Sequence, residues 1–228
     1  MSVIELDQYP QIDNLHQPKA ETIDKVRNFL SQFRFFYIKD TIGARDSIDE
    51  ELKKLQNSVD VYYGEDAFTG EGSVFHGTYS QFENSDNNTV ISQYFGLVSD
   101  LLDLISLALG YEQGFLQKIS QQENYGLYGY EREVAYMKSL DTVRREDILI
   151  PPHVDRSLIT VVISIRGFEG YSQEFDWFSI PDREGYLMVQ VGTALQALTK
   201  HAIKANVHRT RGYDSSRAVF WGNLAPVQ

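Results

Sequence analysis

The stretch His153-Val154-Asp155-Arg156-Ser157-Leu158-Ile159-Thr160-Val161-Val162 decides how this chain reads. Its second half is apolar and β-branched, which predicts a strand within residues 158–165. Its first three residues place an imidazole and a carboxylate two positions apart. In a strand, residues i and i+2 share a face, so His153 and Asp155 are expected to reach one ion together. Taken alone the pair decides little, because His153 after Pro151-Pro152 also reads as an ordinary surface histidine.

Two ligands do not make a metal site. Among the five histidines, His208 is the best candidate for a third ligand. It stands at the end of a β-prone run, where it also reads as a satisfied core residue. His201, in the turn-like segment Ala197-Leu198-Thr199-Lys200-His201, is a rival. His16 and His76 fall in expected loops. Two imidazoles and one carboxylate on one face of an octahedron form the facial triad of non-haem Fe(II) oxygenases and leave three positions open. Zinc hydrolases use the same donor types, so the ligand set by itself leaves the metal open.

From about residue 124 onward, short β-prone runs alternate with turn residues. The candidate strands are 134–140, 158–165, 177–180, 186–191, 202–208 and 218–222. Upstream the pattern is helical. Residues 20–33 carry Ile23, Val26, Leu30 and Phe33 at helical spacing, and 94–109 carry Leu97, Leu101, Leu104, Ile105 and Leu109 before Gly110, a natural C-cap. The aromatic run Phe35-Phe36-Tyr37-Ile38 predicts a strand, 3–14 a short strand, and 44–57 a second helix. The polar run Glu83-Asn84-Ser85-Asp86-Asn87-Asn88 and several glycines make 64–92 a long loop or loose hairpin, and a candidate lid. Helices first and strands later predict an α+β, mainly β chain. The 228 residues read as one domain, with a mostly helical part at 1–120 and a β part at 121–228 carrying the metal site.

The formal net charge is −11, from 21 basic and 32 acidic residues. This counts against a nucleic-acid partner, which needs a positive face. With no cysteine, disulfides, thiolate metal sites and cysteine nucleophiles are excluded. The first residues show neither a basic n-region nor an apolar core, and no apolar run reaches membrane-spanning length. The expectation is a cytoplasmic protein without a membrane partner.

The residues after the histidine–aspartate pair narrow the reading. They are Val191-Gly192-Thr193-Ala194-Leu195-Gln196-Ala197-Leu198-Thr199, then Lys204-Ala205-Asn206-Val207-His208-Arg209, then Arg217. In order and spacing this series resembles the isopenicillin N synthase-like family of 2-oxoglutarate/Fe(II)-dependent dioxygenases. The resemblance is strong over 153–217 and weaker upstream, where Phe35-Phe36-Tyr37-Ile38 and the helix ending at Gly110 correspond to family elements. It implies a double-stranded β-helix, a jelly roll with supporting N-terminal helices.

The resemblance also implies roles. His153, Asp155 and His208 would hold Fe(II). Arg217 would pair bidentately with the distal carboxylate of 2-oxoglutarate. Val219 replaces the family serine that assists it. Strand parity puts Ser215 on the side of Arg217 as a substitute, and Tyr136 loosely matches a tyrosine that bonds the same cosubstrate. Thr193 replaces an aspartate, and Lys200-His201 replace a turn Asn-Gly. Few residues follow Arg217, so a covering C-terminal segment found in many relatives is not expected. The implied reaction consumes O2 and 2-oxoglutarate and hydroxylates, desaturates or cyclises a small molecule such as an amino acid or natural-product intermediate.

Three other readings compete. One is an Fe(II) oxidase of the same fold that does not use 2-oxoglutarate. A second is a non-catalytic jelly roll that binds metal or ligand. The third is a nucleic-acid demethylase, for which Arg211 and Arg217 echo an arginine signature and against which the acidic charge speaks.

Overall fold

The computed structural model describes residues 11–12, 15, 18–47, 73–78, 90–120, 130–138, 148–163, 165, 167–173, 176–211 and 218–226. The chain runs β1 (Gln11–Ile12), α1 (Ala20–Gln32), β2 (Phe35–Lys39), β3 (Ser73–Thr78), α2 (Val90–Ala108), α3 (Phe115–Ser120) and β4 (Tyr130–Lys138). It continues through β5 (Ile148–His153), β6 (Ile159–Val162), β7 (Phe168–Ser172), β8 (Asp176–Ser179), β9 (Tyr186–Val191), α4 (Thr193–Leu198), β10 (His208–Arg211) and β11 (Ala218–Pro226).

Among the described residues, eleven strands form two sheets. The larger has the order β1-β2-β9-β6-β11-β4-β3 and the smaller β5-β10-β7-β8. All pairings are antiparallel except β1 with β2. From β4 onward the chain passes back and forth between the sheets, so neighbours in sequence are seldom neighbours in a sheet. The first 120 residues also supply strands. β2 extends the large sheet beyond β9, and β3 lies on its far edge against β4.

Along β2, β6 and β9 the large sheet is mostly apolar on both faces, which explains β2. Phe35, Phe36, Tyr37 and Ile38 are all buried, as befits a strand covered on both sides. Phe36 and Ile38 join Ile159, Val161, Leu187, Val189 and Val191 under the helices. Phe35 and Tyr37 join Val162, Met188, Phe168 and Ile180 between the sheets. Alternation along β2, β6 and β9 thus sorts their side chains into two cores.

The helices supply the outer layer. α1 buries Val26 and Leu30, and α2 buries Leu97, Val98, Leu101, Leu102, Leu104 and Ile105. α2 ends as its sequence predicts: Gly110 takes φ +83°. The Tyr111 and Gly110 amides bond back to the carbonyls of Ser106 and Leu107 at 2.9 and 3.0 Å, the paired bonds of a Schellman cap. The Arg27 Nε–H of α1 also donates to the Ala108 carbonyl at 2.8 Å, tying the two helices together.

Several boundaries differ from expectation. The stretch 64–92 contains a strand, β3, and the first turn of α2; the rest lies outside the described residues, as does 48–57 of the predicted second helix, of which 44–47 is helical. The strand expected at 202–208 begins only at His208, and 204–207 approaches it without ladder pairing. β5, β7 and α4 were not expected. β5 carries Pro151-Pro152, which disguises it, because proline is compatible with a strand only at an edge. β5 is an edge strand of the small sheet. No described helix is long and apolar enough to cross a membrane.

Candidate metal centre

His153 is the last residue of β5 and His208 the first of β10, and the two are direct partners across the ladder. This pairing brings residues distant in sequence to one point, with ring centroids 4.1 Å apart. Asp155 arrives by another route. It lies beyond the end of β5, so the shared strand face expected from the two-residue spacing is not what brings it to His153. A turn through 154–158 delivers its carboxylate instead.

That turn is held by the start of α4. The amides of Gly192, Thr193 and Ala194 donate to the carbonyls of Leu158, Asp155 and Ser157 at 3.1, 2.7 and 3.1 Å. The approach is so close that a Cβ on Gly192 would stand 2.0 Å from the Ser157 carbonyl oxygen. Glycine is required there by contact alone, since its φ of −98° suits any residue.

The three side chains converge. Asp155 Oδ1 stands 3.6 Å from Nε2 of His153 and 3.6 Å from Nε2 of His208. One donor atom from each residue lies within 4.8 Å of the others. The opposite nitrogens are occupied by backbone: His153 Nδ1 is 2.8 Å from the Pro151 carbonyl and His208 Nδ1 is 3.0 Å from the Asn206 carbonyl. A carbonyl can only accept, so each Nδ1 carries the proton and each Nε2 offers a lone pair toward the shared point. Burial holds the His208 imidazole below its ordinary range, opposed by the Asp155 carboxylate and assisted by His153. The neutral form that ligation needs is thereby favoured.

The carboxylate is oriented as well. Its Oδ2 accepts from Gln190 Nε2 at 2.6 Å and from the Thr160 hydroxyl. Since Thr160 donates to Asp155, it accepts from Ser157 Oγ, 3.0 Å away. Thr160 and Gln190 are cross-strand partners on β6 and β9, both buried. Asn206 completes the chain by donating from Nδ2 to Gln190 Oε1 at 3.1 Å. Sequence reading gave none of these residues a role. The available signal was one polar residue inside an otherwise apolar strand, Thr160 in Ile-Thr-Val-Val and Gln190 in Tyr-Leu-Met-Val-Gln-Val.

Exposure is graded across the site. The side chains of His208, Asp155 and His153 are 5%, 15% and 28% exposed. The Phe168 ring lies nearly parallel to His208 at 4.8 Å and closes the inner side. Of the three, His153 is the most open to solvent.

The other expected site residues are placed less closely. His201 is exposed and takes no part in the cluster. Arg217 and Ser215 lie outside the described residues. Tyr136 lies on β4, with its backbone paired to Phe220 of β11 and Phe75 of β3. Arg211 is engaged by Glu169, with Nε 3.0 Å from each carboxylate oxygen. Arg209 bonds the same Glu169 at 2.5 Å and lies over the Trp177 ring.

The donor set fits a divalent transition metal. Two neutral imidazoles and one carboxylate oxygen converge from one side, and the other carboxylate oxygen is committed elsewhere, the facial arrangement with open positions.

No family model and no curated protein matches this chain. Solved structures do. A 2OG-Fe(II) oxygenase family protein from Caulobacter crescentus superposes with a TM-score of 0.72 at 14% identity, covering 96% of this chain and 87% of that one. A dioxygenase for auxin oxidation from Arabidopsis thaliana, solved with 2-oxoglutarate, gives 0.67 at 14% identity over 96% and 93%. A Neurospora crassa protein solved with α-ketoglutarate and 5-formyluracil gives 0.67 at 13% identity over 96% and 84%. This chain therefore has the fold of structures described as 2-oxoglutarate/Fe(II) oxygenases.

Proposed function

We propose that this protein is a non-haem Fe(II)- and 2-oxoglutarate-dependent oxygenase acting on a small organic molecule. The observation that carries the reading is the convergence of His153 Nε2, Asp155 Oδ1 and His208 Nε2, each fixed from behind by a hydrogen bond. A histidine satisfied only as a core residue needs no such convergence. The passage of β4 to β11 back and forth between two sheets supports a double-stranded β-helix, and the likeness to 2-oxoglutarate-bound structures supports the cosubstrate.

In this reading His153, Asp155 and His208 hold Fe(II). The bound metal and 2-oxoglutarate would supply the oxidising chemistry, with O2 as oxidant and succinate and CO2 as products. The protein's part is positional. Neutral imidazoles present lone pairs at the chosen atoms, Gln190 and Thr160 hold the carboxylate, and Phe168 and the inter-sheet core exclude water from the inner side. Arg217 is assigned to the distal carboxylate of 2-oxoglutarate, with Ser215 and Tyr136 as further partners. The isopenicillin N synthase-like branch is the subfamily this reading favours. Relatives of this fold named for auxin oxidation or solved with 5-formyluracil suggest a compact organic substrate.

Val219, standing where the resembled family has serine, favours one second reading: iron-dependent oxidation without 2-oxoglutarate. One titration separates the two. Apo-protein is given Fe(II) and then 2-oxoglutarate without oxygen, and the visible metal-to-ligand charge-transfer band is followed. The band should appear in the native protein and require far more 2-oxoglutarate in Arg217→Ala. Iron binding without any band would transfer the proposal to the 2-oxoglutarate-independent reading, and an unchanged Arg217→Ala would remove that residue from the site.

A further inference from the structure

We infer that Asn206 is a positioning residue for the metal centre, acting through the side-chain amide of Gln190. The inference rests on the reading of His153, Asp155 and His208 as metal ligands, and it adds a residue that touches none of the bound groups.

A glutamine amide offers one accepting oxygen and one donating nitrogen at nearly the same place. Turned either way, Gln190 would fill the same volume. Only one orientation serves Asp155, whose carboxylate oxygens can only accept when ionised. With the nitrogen toward Asp155 Oδ2 at 2.6 Å the contact is a hydrogen bond. Reversed, two oxygens would meet at that distance.

Asn206 makes the choice. Its Nδ2 donates to Gln190 Oε1 at 3.1 Å, which holds that oxygen away from Asp155. Both residues are 2% exposed, so water is poorly placed to substitute. The Gln190 nitrogen also stands 3.4 Å from His208 Nε2, so the same amide group lies against two of the three ligands. The backbone of Asn206 contributes separately. Its carbonyl accepts from His208 Nδ1 at 3.0 Å, and its amide donates to the Val191 carbonyl at 3.1 Å. Side-chain substitution leaves those two bonds possible, which separates the amide's role from the residue's place in the backbone.

The test is a double-mutant cycle read by Co(II) binding, followed in the visible spectrum of the full chain, with thermal unfolding of each apo-protein alongside. The variants are Gln190→Leu, Asn206→Leu, the pair together, and Asp155→Ala. Loss of a hydrogen bond behind a ligand typically weakens metal binding about 10- to 100-fold. Each single leucine variant should weaken Co(II) at least about 10-fold, and the pair should bind like Gln190→Leu alone, because the Asn206 side chain acts only through that amide. If Asn206→Leu folds poorly, the smaller Asn206→Ala enters the same cycle. Native-like Co(II) binding by the Asn206 variant overturns the inference, as do losses that multiply in the pair. Native-like binding by Asp155→Ala would instead overturn the metal-site reading on which the inference rests.

Discussion

Replacing Gly192 by alanine puts the construction of the candidate metal centre to its sharpest test. The added Cβ would lie 2.0 Å from the Ser157 carbonyl oxygen and 2.7 Å from both its carbonyl carbon and its Oγ. These are mostly backbone atoms, so no side-chain rotation relieves the contact. Reaching even a 3.0 Å separation demands a displacement of about 1 Å between the start of α4 and the 154–158 turn. Three amide–carbonyl bonds join those segments, each worth a net ~0.5–1.5 kcal/mol, and overpacking typically costs about 1–3 kcal/mol. Partial loss of the bonds with partial relief of the clash gives an expected destabilisation of about 3 kcal/mol. The backbone conformation of Gly192 contributes nothing to this figure, since alanine adopts φ −98° readily. Because the moving segment carries Asp155, metal affinity should fall at least about 10-fold as well. Equilibrium urea unfolding of the apo-protein and Co(II) titration measure the two effects. A variant within about 0.5 kcal/mol of native stability and with unchanged Co(II) affinity would refute the claim that this contact places the carboxylate.

The remaining predictions concern the histidines and their turn. His208→Ala should abolish metal retention, measured by metal analysis after desalting, whereas His201→Ala should retain metal like the native protein. Lys200 and His201 are exposed and take φ of 50° and 66°, in the left-handed region that disfavours their side chains by about 1–2 kcal/mol per residue. Replacing them together with Asn-Gly should stabilise the protein by about 1 kcal/mol after the greater chain entropy of glycine is allowed for, seen as a higher urea midpoint. Burial depresses the folded-state pKa of His208, so the unfolded chain binds the proton more readily. Apo-protein stability is therefore fully present above the unfolded value of about 6.5 and falls as pH drops from there toward the folded-state value, by at most about 1.4 kcal/mol per pH unit. Denaturation midpoints between pH 7.5 and 5 should show that slope and lose part of it in His208→Gln.

Much was legible before any tertiary information. The helical spacing of Val26, Leu30, Leu97, Leu101 and Ile105 announced α1 and α2, since a helix must present one apolar stripe to the core. Gly110 announced the end of α2, and the aromatic run at 35–38 announced β2. These signals are local, arising from periodicity and backbone preference within a few residues. The identity of the three candidate ligands was readable for a chemical reason: few side chains offer a metal lone pair, and the resemblance limited which of them to combine.

The placement of those ligands was not local, and it needed the fold. His153 and Asp155 are two residues apart, yet the strand ends between them and a turn held by α4 supplies the carboxylate. His153 and His208 meet because β5 and β10 pair, a register that no window of sequence contains. Gln190 and Thr160 showed only as single polar residues in apolar strands, and Asn206, in the segment leading to β10, showed nothing at all, because a polar side chain acquires its partner only when the sheets close over it. Local sequence was enough to find α1, α2, β2 and the donor atoms able to hold a metal, because periodicity and donor chemistry belong to single residues and short windows; β5, β7 and α4 escaped it. Which lone pairs face one another, and what fixes them from behind, came from the folded arrangement, because those are relations between strands that the chain brings together from far apart.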